Sequence, residues 1–130
     1  MAEKTRLAEL QLAIMQVLWE HGEATVAAVR DELQPERPLA YTTIGTMLAK
    51  METAGYVTHT SEGRVNIYRP LLQRDDVSRS MVTDLADRLF QGDITEMMCQ
   101  LLDGQSVTRD ELAALKRLIR SKEKELRDAE

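Results

Sequence analysis

Residues 38–57 read Pro38-Leu39-Ala40-Tyr41-Thr42-Thr43-Ile44-Gly45-Thr46-Met47-Leu48-Ala49-Lys50-Met51-Glu52-Thr53-Ala54-Gly55-Tyr56-Val57. Ile44, Leu48 and Met51 recur at helical spacing, and Met47 widens the stripe they form. The opposite face of the first turns carries the hydroxyls of Tyr41, Thr42, Thr43 and Thr46. A helix with an apolar back and an uncharged hydrogen-bonding front is built to meet something polar. Gly55 supplies the stop, because glycine enters the left-handed cap conformation without steric cost. Val57-Thr58-His59-Thr60 and Val65-Asn66-Ile67-Tyr68 then alternate on either side of Glu62-Gly63-Arg64, the pattern of a hairpin.

Upstream, Thr5 precedes a periodic segment with Leu7, Leu10, Ile14, Val17 and Leu18 on one stripe and Trp19 at its end, closed by His21-Gly22. Ala24-Thr25 starts a shorter helix through Val26, Val29 and Leu33, which Pro35 and Pro38 must end. Pro70 closes the second hairpin strand. Two helices, a presented helix and then a hairpin is the order of a winged helix-turn-helix. The predicted fold is mainly α with a small β-hairpin wing, followed by a three-helix C-terminal dimerisation region.

That second region has its own punctuation. Asp75 or Asp76 caps a helix carrying Val77, Met81, Val82, Leu85, Leu89 and Phe90, and Gly92 ends it. Asp93 opens a short helix with Ile94, Met97, Met98, Leu101 and Leu102, ended by Gly104. Thr108-Arg109-Asp110-Glu111 is a capping box. It opens a helix with Leu112, Leu115, Leu118, Ile119 and Leu126, which is expected to fray into a charged tail from Lys122. These stripes are too extensive for three short helices to bury among themselves. A two-fold partner bringing the same helices resolves this, so residues 1–72 are expected to form the winged-helix domain and 73–130 the homodimer interface. The interface is expected on Met81, Leu85, Leu89, Ile94, Met98, Leu101, Leu112, Leu115, Leu118 and Ile119.

The chain of 130 residues has a net charge of −5, an unusual balance for a nucleic-acid binder. Up to Pro70 there are 7 Lys/Arg against 9 Asp/Glu, a net of −2; the remainder has 10 against 13, a net of −3. Neither part is basic. Locally, however, no acidic residue stands between Arg37 and Met51, and Lys50, Arg64 and Arg69 cluster around the presented helix and hairpin. Acidity elsewhere weakens non-specific binding more than specific binding, since the former is almost wholly phosphate electrostatics. Aromatic residues at 4% and charged ones at 30% disfavour an all-β sandwich. Cys99 is the only cysteine, which excludes an intramolecular disulfide or cysteine-cluster metal site and suits the cytoplasm. No signal-type apolar region or spanning run is present, so membrane involvement would be indirect. No nucleophile elbow, phosphate-binding glycine loop or paired carboxylates point to an enzyme. No metal or cofactor is expected.

Three threonines on an exposed helix face are a poor choice on helix propensity alone. Their methyls can touch thymine methyls and their hydroxyls can bond base edges. Thr42, Thr43 and Thr46 are therefore assigned to double-stranded DNA bases, and Tyr41, Gly45, Lys50, Arg64 and Tyr68 to the backbone. Gly45 costs about 1 kcal/mol relative to alanine in mid-helix. It reads either as clearance for DNA or as tight packing on another helix. Tyr68 reads equally as a phosphate contact or a wing residue packed on the core. Cys99, beside Met97 and Met98, reads as a small buried hydrophobe. The rivals are a protein-interaction module whose hydroxyl face docks on protein, and a redox sensor using Cys99.

Leu39-Ala40-Tyr41-Thr42-Thr43-Ile44, Thr46-Met47-Leu48, Gly55-Tyr56-Val57 and Tyr68-Arg69-Pro70 together resemble the penicillinase and methicillin-resistance repressor family, the BlaI/MecI type. Leu12 through Trp19 and the Phe90-Gln91-Gly92-Asp93 junction fit as well. The resemblance implies a dimeric repressor on a palindromic promoter site, serving antibiotic resistance or cell-envelope stress. It also implies a membrane sensor acting indirectly, with relief by cleavage in the dimerisation domain. The Asn-Phe bond cleaved in the staphylococcal type would fall at Gln100-Leu101, a departure in sequence. The copper-responsive members' cysteine motif is absent, because Cys99 stands alone.

Overall fold

The structure, a computed structural model, describes residues 7–130. Thr5, the expected start of the first helix, lies outside them. Helix α1 spans Glu9–His21, with the Gln11 side chain accepting from the Ala8 N–H at 3.0 Å. At its other end Gly22 takes φ +83° and donates its N–H to Leu18 at 2.7 Å.

Ala24–Thr25, expected to begin a helix, instead forms a short strand, β1, and Thr25 then caps α2 (Val26–Leu33) by accepting from the Ala28 N–H at 3.1 Å. Beyond the two prolines comes α3, Tyr41–Thr53. Strands β2 (Val57–Glu62) and β3 (Val65–Pro70) are joined by Gly63-Arg64, with Gly63 at φ +63°. A positive φ in a two-residue hairpin loop matches the strand twist and suits glycine. β1 pairs antiparallel with β3, Ala24 opposite Tyr68, so the wing is a three-stranded sheet in the order β1-β3-β2.

Ile14, Met15, Leu18, Val29, Ile44, Leu48, Met51 and Val57 are fully buried and join α1, α2, α3 and the sheet. Trp19 borders this core and donates its indole N–H to the Leu72 carbonyl at 2.9 Å, fixing the chain where it leaves the wing. Trp19→Phe keeps an aromatic ring, though a smaller one, and leaves that carbonyl without its indole donor. It should lower unfolding free energy by about 1 kcal/mol, read as a lower denaturant midpoint at unchanged slope.

Helix α4 runs Arg74–Phe90, so Asp75 and Asp76 sit in its first turn rather than capping it. Val77 is buried and Met81 packs against the winged-helix core. Met81, only partly buried, thus has apolar neighbours within the chain as well as its place on the expected interface stripe. The two compact units divide inside α4, after Asp84.

In the second unit, residues 91 and 92 both adopt positive φ, and Asp93 caps α5 (Ile94–Gly104) by accepting from the Glu96 N–H at 3.0 Å. Helix α6 spans Arg109–Asp128 behind the capping box, in which Thr108 accepts from the Glu111 N–H at 3.1 Å. The tail expected to fray from Lys122 stays helical, and Lys122 reaches Glu125 at 3.4 Å. No residue from Leu85 to Glu130 is buried within the chain, and Leu89, Ile94, Leu118, Ile119 and Leu126 are each at least 60% exposed. Cys99 is exposed as well, against the expectation of a buried thiol.

Candidate nucleic-acid interface

The geometry of α3 follows from its two ends. Ala40 cannot cap through a side chain, and no acidic residue stands in the first turn. The helix therefore presents N–H groups and the positive end of its dipole without a carboxylate to neutralise them. At the other end, the Tyr56 N–H donates to Met51 at 2.9 Å and the Gly55 N–H to Glu52 at 3.0 Å, with Gly55 at φ +87°. This is the Schellman arrangement, and it turns the chain straight into β2.

Ile44, Leu48 and Met51 hold α3 to the core with no exposed surface. Thr42, Thr43 and Thr46 are exposed, and together with Met47 and Lys50 they line one shallow depression. Neither Lys50 nor Arg64, on the hairpin loop, has an ion-pair partner among the described residues. Both cations are exposed and available to an anion. Arg69 is engaged: it donates to the Thr60 hydroxyl at 2.9 Å and lies 3.6 Å from Glu23.

Tyr41 is 52% exposed at the start of α3, and the Arg30 guanidinium lies 5.9 Å from its ring centroid. Arg30 was not singled out from sequence; α2 brings it to Tyr41 only in the folded chain, and its neighbour Asp31 shares its charge at 3.1 Å. Tyr68 is 5% exposed, with its ring 5.2 Å from that of His59. Of its two sequence readings, the core one holds, and the backbone assignment loses Tyr68 for want of surface. His59 in turn sets Nδ1 2.7 and 2.8 Å from the two carboxylate oxygens of Glu52, tying the last turn of α3 to the wing.

Gly45 is where the structure decides most. A Cβ built there would meet only Val26 Cγ1, at 4.0 Å, which is ordinary van der Waals contact. Packing within the chain does not require glycine. Gly45→Ala should therefore raise unfolding free energy by about 0.5–1 kcal/mol, visible as a higher melting temperature.

The penicillinase repressor family matches residues 7–121. The transcriptional regulator BlaI of Mycobacterium tuberculosis is 32% identical over 121 residues, covering 92% of this chain and 86% of that protein. The penicillinase repressor of Bacillus licheniformis is 25% identical over 114 residues, covering 88% of this chain and 89% of the relative. Among solved structures, the DNA-binding domain of the repressor BlaI superposes with a TM-score of 0.50 at 30% identity, covering 58% of this chain and 93% of that one. The winged-helix core, the presented α3 and a match across nearly the whole chain agree: this protein belongs to the penicillinase repressor family of transcriptional regulators, and it is not an enzyme.

Proposed function

We propose that the protein is a homodimeric repressor that reads a palindromic promoter site in the cytoplasm. The carrying observation is the α3 face, where three exposed threonine side chains and an unpaired Lys50 border one depression on a helix anchored from behind. In this reading Thr42, Thr43 and Thr46 contact bases, while Tyr41, Lys50 and Arg64 contact phosphates. Gly45 gives clearance for close approach, so Gly45→Ala should weaken operator binding while stabilising the fold. Residues 1–72 supply the reading unit, and the helices that follow supply the dimer interface, with Val77 kept for the winged-helix core. The exposed stripes of α4 to α6 support that division. A two-fold axis would set the half-sites about one helical turn, ~34 Å, apart.

Bound dimer blocks polymerase, and loss of dimerisation releases the promoter. Cleavage near Gln100-Leu101 in α5 is the proposed off-switch, downstream of a membrane sensor of β-lactams or envelope stress. No residue of that helix is buried within the single chain, so its packing would come from the partner protomer and be lost whenever the dimer opens. The test is selection of genomic fragments by the purified protein, with Thr43→Ala/Thr46→Ala as control. Enrichment of a short palindrome by the parent alone supports the reading. No enrichment at low salt would overturn it in favour of a protein-docking role for the same face.

A further inference from the structure

The sequence assigns Met47 to the apolar back of α3, yet the fold gives it two environments. It packs against the edge of the core and also lines the depression formed by Thr42, Thr43, Thr46 and Lys50. At about 100° per residue, it falls between Thr43 and Lys50 on one side and Met51 on the other. It is half-buried, while Met51 is fully buried and Thr43 exposed. The other side chains of the depression offer hydroxyls and an ammonium; Met47 is the one wholly apolar group among them. On the floor of the major groove the apolar group is the thymine C5-methyl. An unbranched thioether with three rotatable bonds and a polarizable sulfur can follow the contour of such a methyl. Packing on the core already restrains the side chain in part, so less freedom is lost on contact.

We infer that Met47 is a specificity-determining residue that packs against a thymine methyl in each half-site. The inference rests on the DNA-reading role of α3 proposed above. It adds an apolar reader to the hydroxyl face, and makes thymine, rather than any pyrimidine, the preferred base at one position.

The test uses the palindromic duplex enriched in the genomic selection, with its thymines replaced one at a time by deoxyuridine, which removes only the methyl. The parent protein should lose about three- to five-fold in affinity at one thymine of the half-site, the worth of one buried methyl. Met47→Gln, close in size and a good helix former, should bind the thymine and uracil duplexes equally at that position. It should keep the parent's discrimination at any thymine read by a threonine methyl. Met47→Leu should restore the preference. Melting curves of the three proteins establish that each is folded. If Met47→Gln discriminates thymine from uracil at every position as the parent does, the inference is overturned while DNA reading by α3 stands. If no duplex is enriched at all, the DNA-reading role fails and the inference with it.

Discussion

A Leu118→Asp/Ile119→Asp variant should sediment as a monomer and bind the palindrome about 10²- to 10⁴-fold more weakly than the parent. The size of the effect comes from linkage: in a dimer the second half-site is engaged at a high effective concentration, and that advantage vanishes for separate protomers. Leu118 and Ile119 are 66% and 61% exposed in the single chain, so a carboxylate at either position stays in water in the monomer. In a dimer the same carboxylates would be buried against apolar stripes without partners, which is strongly unfavourable. The winged-helix unit has its own buried core around Ile14, Ile44 and Leu48, and should melt as before. Sedimentation velocity and operator titration are the measurements. A dimer that persists in the variant would remove α6 from the interface.

The second large effect is expected from Thr43→Ala/Thr46→Ala. Each lost base contact should cost about 1–3 kcal/mol, so the pair, at about 2–6 kcal/mol, should reduce operator affinity by about 30-fold to 10⁴-fold. Binding to random duplex should barely change, because it depends on phosphate neutralisation, and Lys50 and Arg64 remain. Stability should move the opposite way. Both threonines are exposed on a helix, and alanine there is better by a few tenths of a kcal/mol per site. A protein that melts higher yet binds its operator worse cannot be explained by damage to the fold. Equal loss on operator and random DNA would remove the base-reading role from these residues.

What could be read in the chain beforehand depended on how local its causes were. The α3 stripe, the Gly55 stop, the Asp93 cap and the Thr108 capping box are all decided within a few residues of themselves, and all were legible. Strand β1 was not: two residues carry no measurable alternation, and Ala24–Thr25 is a strand only because β3 arrives beside it. Tyr68 had the same difficulty, since alternation divides a strand into two faces without saying which meets the core. Met81 and Met47 lie on stripes that serve two purposes, and periodicity cannot apportion one side chain between them. Cys99 looked buried because its neighbours are methionines, but on a helix adjacent residues point in different directions. Arg30 beside Tyr41 is a contact between two helices, which no single-helix pattern contains.

Lys50 and Arg64, exposed around α3 and the hairpin and without an ion-pair partner among the described residues, bear on how many copies a cell would need. If a dimer neutralises about four phosphates with them, the logarithm of its affinity should fall with a slope near −4 against the logarithm of salt concentration, well short of strongly basic binders. Bulk chromosome is then a weak competitor, and little of the population is held on irrelevant sites. Occupancy of one promoter follows the ratio of specific to non-specific affinity multiplied by the number of competing sites. A regulator with so sparing an electrostatic grip can keep its target silent at low abundance, and a modest loss of intact dimers is enough to free it.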